Sequence, residues 1–144
     1  MATFERRRRP GWIPALAGMA LLACTSQPAV EDQAATPFAP TADPARGREV
    51  FVSRDAGHCV LCHEVPGVEA FGNVGPALAG VGARLTVPQL RLRVADITKV
   101  NPDAAMPTFH RVEAMTRVAS QYQGKPVLTG QQVEDVVAWL ATLR

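Results

Sequence analysis

Five consecutive residues, Cys59-Val60-Leu61-Cys62-His63, constrain this 144-residue chain more than anything else in it. Two thiols three positions apart, with an imidazole directly after the second, form the C-x-x-C-H attachment signature of a c-type haem. On the first turn of a helix the thiols reach the two vinyl groups on one edge of a porphyrin, and the histidine points its ring at the iron. Thioether bonds keep such a group from dissociating, and a neutral imidazole nitrogen is a good iron ligand. Other uses of paired cysteines fit less well. A redox C-x-x-C belongs near a β-α-β pattern, which the sequence lacks. A structural zinc site needs four ligands, and only Cys24, His58 and His110 are left to supplement the cluster. Three cysteines do not staple a disulfide scaffold. The sequence therefore predicts one haem c attached through Cys59 and Cys62, with His63 as an axial ligand.

The rest of the chain is consistent with a cofactor at its centre. From Asp43 onward about 100 residues form the body, enough for one domain of marginal size. Aromatic residues make up only 6% of the chain, so side chains alone would give a thin core. Asp43-Pro44 offers an N-cap and a first-turn proline, predicting a helix through about Arg54. Thr129-Gly130-Gln131-Gln132 is a capping box, followed by Val133, Val136, Val137, Leu140 and Leu143 on one helical face. Between them, Leu90, Leu92 and Val94 alternate with arginines as a strand would. Thr86, Pro88 and Gln89 nevertheless favour a helix there. Gly- and Pro-rich loops fill the remainder. The expected fold is all-α, with short helices and long loops wrapped around one covalently bound haem.

The second axial ligand should come from the loop-rich second half. Met106 is the leading candidate, because Pro102 opens its loop and Pro107 stiffens it. Met115, His58 and His110 compete. Met115 lies in a stretch with helical character, where packing is the commoner role. His58 is close in sequence to His63, and His110 would give bis-histidine ligation and a lower potential than a thioether.

The N-terminus reads as an address. Arg6 to Arg9 precede an apolar run from Trp12 to Ala23 with small residues at its end, the layout of an export signal over residues 1–23. The run is too short for a retained transmembrane helix, which needs about 20 apolar residues. Pro10-Gly11-Trp12 does not match a twin-arginine signal, so the general secretory route is expected. Leu21-Leu22-Ala23-Cys24 is similar to a bacterial lipobox, which would make Cys24 a lipidated first residue. Ordinary cleavage near Ala23 would leave Cys24 an incidental thiol. Residues 24–42, rich in Ala, Pro and Thr, read as a flexible linker before the body at 43–144. Removing the four arginines and Glu5 of the leader from the 15 basic and 13 acidic residues leaves 11 against 12. A nearly neutral body excludes a nucleic-acid-binding role, which needs a concentrated cationic face.

On these residues the body resembles a class I cytochrome c. Gly47 and Phe51 on the first helix, and Val136-Val137-Ala138-Trp139-Leu140 on the last, are similar to that family's crossing helices. Gly75-Pro76-Ala77-Leu78 resembles the haem-pocket loop in which a proline carbonyl accepts the axial histidine's second N–H. That resemblance implies Pro76 as the partner of His63, Leu78 as a pocket residue and Arg84 as a propionate-binding arginine. A closer resemblance runs through Phe71-Gly72-Asn73-Val74-Gly75-Pro76, Leu90-Arg91-Leu92-Arg93-Val94, Asn101-Pro102, Met106-Pro107 and Gly124-Lys125-Pro126-Val127-Leu128-Thr129. These strings are similar to the SoxX family, the monohaem subunits of the SoxAX complexes of periplasmic sulfur oxidation. The resemblance implies His63/Met106 ligation and a SoxA-type haem subunit as heterodimer partner. It also implies a complex that conjugates thiosulfate to a cysteine of the carrier SoxYZ, an L-cysteine S-thiosulfotransferase. The chain would be its electron-transfer subunit, with no catalytic residue of its own, passing electrons to a mobile cytochrome c. The competing expectations are a free-standing periplasmic electron shuttle and a haem subunit of an unrelated periplasmic oxidase. A shuttle usually carries a strongly charged ring to steer encounters, and the near-neutral body, with its arginines expected on solvated faces, fits a lasting interface better.

Overall fold

Each long helix of the computed structural model, which describes residues 37–69, 72–113 and 118–144, begins at a side chain suited to cap it. The Asp43 carboxylate accepts the Ala45 and Arg46 N–H groups, opening α1 (Pro44–Val52) with a proline in its first turn. A one-turn helix, α2 (Val81–Arg84), leads into α3 (Val87–Asp96), whose Thr86 and Gln89 form a reciprocal capping box. Thr129 and Gln132 do the same for α4 (Gly130–Thr142). Such caps satisfy N–H groups that no helix can bond internally, each worth about 1 kcal/mol. Short 3-10 turns lie at Cys59–Leu61, Ile97–Lys99 and Ser120–Tyr122. No strand occurs among the described residues, so the fold is all-α. The ambiguous middle segment is helix. α1 stops at Val52 rather than Arg54, because Ser53 turns extended and the chain folds back, with Gly57 N–H donating to the Val50 carbonyl.

α4 is the hub against which α1, α2 and α3 pack. Gly47 is the point of closest approach: a Cβ there would collide with the backbone of Asp135. One turn on, Phe51 packs on Trp139 with ring centroids 4.8 Å apart at 56°, a tilted pair worth about 1 kcal/mol beyond its burial. Val133, Val136, Val137 and Leu140 complete the buried face of α4. The segment before α1 is laced to the same helix. Asp43 N–H donates to Asp135 Oδ1 at 2.7 Å, Gln131 donates to the Thr41 carbonyl at 2.6 Å, and Phe38 N–H donates to Glu134 Oε1 at 3.1 Å. The last residues of the expected linker are thus bonded to the body. No helix among the described residues is long and apolar enough to cross a membrane.

One arginine departs from the sequence expectation of solvated faces. Arg91 on α3 is only 4% exposed and forms a two-pronged pair with Glu134 of α4, Nε–Oε1 at 2.6 Å and Nη2–Oε2 at 2.9 Å. The paired charges satisfy one another inside the α3–α4 contact, where alternation along one segment gives no sign of a partner 43 residues away.

Candidate cofactor site

The paired cysteines sit in a turn that the chain builds by reversing direction twice. His58, in the left-handed region at φ 55°, caps the 3-10 turn Cys59–Leu61, and the N–H of His63 donates back to the Cys59 carbonyl. A second loop is stitched alongside. Gly72 N–H donates to the Val60 carbonyl, Gly75 N–H to that of Cys62, and Leu78 N–H to that of Glu64. This stitching carries the Pro76 carbonyl to 2.8 Å from His63 Nδ1. A carbonyl can only accept, so Nδ1 carries the proton and Nε2 keeps its lone pair for a metal. Gly75 is required on the same ground, since a Cβ there would run into the imidazole.

Cys59, Cys62 and His63 face a cavity of about 880 Å³, within the size range of cofactor pockets. Its walls are largely apolar, drawn from Phe51, Leu78, Leu90, Val94, Phe109 and Leu140 among others. Burial pushes the Cys59 thiol up to about 12, with the neighbouring Cys62 adding to the shift and a backbone hydrogen bond opposing it. A thiol held neutral in apolar surroundings is a poor metal thiolate. Among the described residues no three His, Cys, Asp or Glu side chains gather as ligands for a bare metal ion. Two thiols, one oriented imidazole and apolar walls fit a covalently attached porphyrin.

The cavity sorts the remaining candidates. Met106, Leu78, Arg84 and His58 line it, whereas His110 is turned elsewhere. His110 Nδ1–H donates to the Leu128 carbonyl at 2.9 Å, and its ring lies against Phe38 with centroids 4.4 Å apart. Met115 and Cys24 lie outside the described residues, as does the export signal. Arg84 Nη1 donates to the Ala79 carbonyl at 2.5 Å. Arg93, which sequence reasoning had placed among the solvated charges, also lines the cavity. Its spacing from Leu90, Val94 and Ile97, once the helix is assigned, is the signal that could have found it.

Comparison with known proteins bears on the same residues. A family model described as cytochrome c matches residues 44–144. Among solved structures, a chain of the SoxXA complex from P. pantotrophus is 35% identical, with a TM-score of 0.65. The match covers 76% of this chain and 84% of that one. No curated protein matches the chain significantly.

Proposed function

The chain belongs to the cytochrome c family, in its SoxX branch, and from that premise we propose that it is the electron-accepting subunit of a periplasmic thiosulfate-conjugating complex. Family membership implies covalently bound haem c. The observation that carries the reading further is the convergence of Cys59, Cys62, His63 and Met106 on one apolar cavity. Cys59 and Cys62 would hold a single haem there covalently, and His63 and Met106 would ligate its iron. When bound, the haem supplies a one-electron ferric–ferrous couple.

This chain's residues do the rest. The Pro76 carbonyl fixes the His63 tautomer and aims Nε2 at the metal. The Met106 thioether, which lines the same cavity, would serve as the second ligand and so close the iron to substrate, which suits an electron-transfer role. Leu78 and the other apolar walls exclude water, and Arg84 meets a propionate. Residues 1–23 serve as an export signal, residues 24–42 as a connecting stretch whose last part, from Phe38, is bonded to α4, with Cys24 a candidate lipid anchor, and residues 43–144 as the electron-transfer domain.

The chemistry assigned to the complex sets the electron count. A sulfur–sulfur bond between thiosulfate and a cysteine thiol of a SoxYZ-type carrier releases two electrons and the thiol proton. A one-electron module therefore turns over twice per bond, or shares the pair with a haem of a SoxA-type partner, before passing electrons to a mobile cytochrome. The likeness to a chain of the SoxXA complex supports that partner. Affinity-tagged chain purified from its native host should bring down one haem-bearing companion in equal amount. A monomer recovered alone, active as a soluble electron carrier, would instead support the shuttle.

A further inference from the structure

α3 and the 3-10 turn that follows it lay four positions along the cavity wall: Leu90, Arg93 and Val94 on the helix and Ile97 just past its end, at helical spacing. Three are apolar and the fourth is a guanidinium. Arg93 Nη1 donates to the Gln89 carbonyl at 3.0 Å, which leaves most of its five N–H donors unused by any described residue. Arg84, at the end of α2, lines the same cavity and is likewise bonded to a carbonyl, that of Ala79. The ion pairs of the described residues belong to Arg46, Arg91 and Arg111. Among the described residues, the two arginines on the cavity wall are therefore cations without an ion-pair partner. Arg84 is exposed and Arg93 half-buried, so water reaches both; the group this cavity fits carries two propionate carboxylates, for which a guanidinium at the cavity wall is a forked, charge-assisted partner.

We propose that Arg93 is a second propionate-binding residue, pairing with the haem alongside Arg84 and biasing the couple toward the reduced state. Sequence resemblance points to Arg84 alone; Arg93 is identified by its place on the wall and its missing counter-ion. The inference rests on the haem reading, but it fails separately from it. A fixed positive charge near the iron opposes the extra charge of the ferric state. Removing it shifts the equilibrium toward ferric, on the order of tenfold for a pair about 10 Å apart at an effective dielectric near 20.

The test uses the matured full-length protein and its R93Q and R93K variants, read by potentiometric titration and by the propionate bending modes in resonance Raman spectra. R93Q should shift the reduction equilibrium toward ferric by about tenfold and displace a propionate mode, with the sulfur–iron absorption band retained. R93K keeps the charge but loses the forked donor, so it should hold the equilibrium within about threefold of wild type while still displacing the mode. R93Q protein with wild-type potential and wild-type propionate modes would overturn the proposal and leave Arg93 as a brace on the last turn of α3. Unchanged modes in R93K would do the same should R93Q fail to mature. Colourless wild-type protein would remove the haem reading and this inference with it.

Discussion

At the residue scale, the site depends on a few atoms whose roles follow from what they can donate or accept. His63 is fixed by a carbonyl that can only accept and by a glycine that leaves room for the ring. Met106 lines the same cavity from a loop bounded by prolines. Its replacement by alanine should abolish the weak absorption at the red end of the ferric spectrum that reports sulfur–iron bonding, and lower the potential. Persistence of that band in M106A would transfer the ligand role to Met115. Cys59, Cys62 and His63 were legible from spacing alone, because the chemistry that joins them to a porphyrin is confined to one turn of chain. Arg93 was not, because along residues 90–94 strand-like alternation competes with helical spacing, and only the helix sets Arg93 beside Leu90 and Val94 on the cavity face.

At the element scale, two carboxylates of α4 hold its neighbours. Glu134 pairs with Arg91 of α3 in a buried setting, both side chains about 95% removed from water (4% and 5% exposed). Removing one partner leaves an uncompensated charge, so E134Q should cost about 3–5 kcal/mol in denaturant unfolding. The double variant R91M/E134M should recover much of that loss, since neither charge then remains buried alone. Asp135 binds the start of α1 through Asp43 N–H and Arg46. Burial alone would raise its carboxyl, but hydrogen bonds from Arg46, the Asp43 backbone and Gln131 outweigh that and hold it below the ordinary carboxylate range. With the folded value depressed, this contribution is present above the unfolded value of about 3.9 and lost as pH falls through the folded one. D135N should therefore flatten the acid limb of the stability profile below about pH 4, as checked by thermal melts across pH. Helix positions were legible because caps act within four residues: Asp43, Thr86 and Thr129 each bond N–H groups of their own first turn. The Arg91–Glu134 pair was invisible because its members lie 43 residues apart.

At the scale of the whole molecule, the helices surround a space that side chains do not fill. A cavity of about 880 Å³ in a body of roughly a hundred residues removes much of the packing that a domain of this size needs. Folding should accordingly be coupled to cofactor attachment. The C59A/C62A double variant, or wild-type chain made without cytochrome maturation, should lose its cooperative thermal transition by near-UV circular dichroism. A sharp haem-free melt would show that the side chains suffice. The amino-acid order by itself determined the attachment motif, the caps and the apolar face of α4, because each rests on forces acting between near neighbours in the chain. Only the tertiary structure decided that α4 is the hub and that Arg91 is sealed inside against Glu134. Those outcomes depend on which surfaces and charges meet across tens of residues, and a pairing of that kind leaves no periodic trace in either partner.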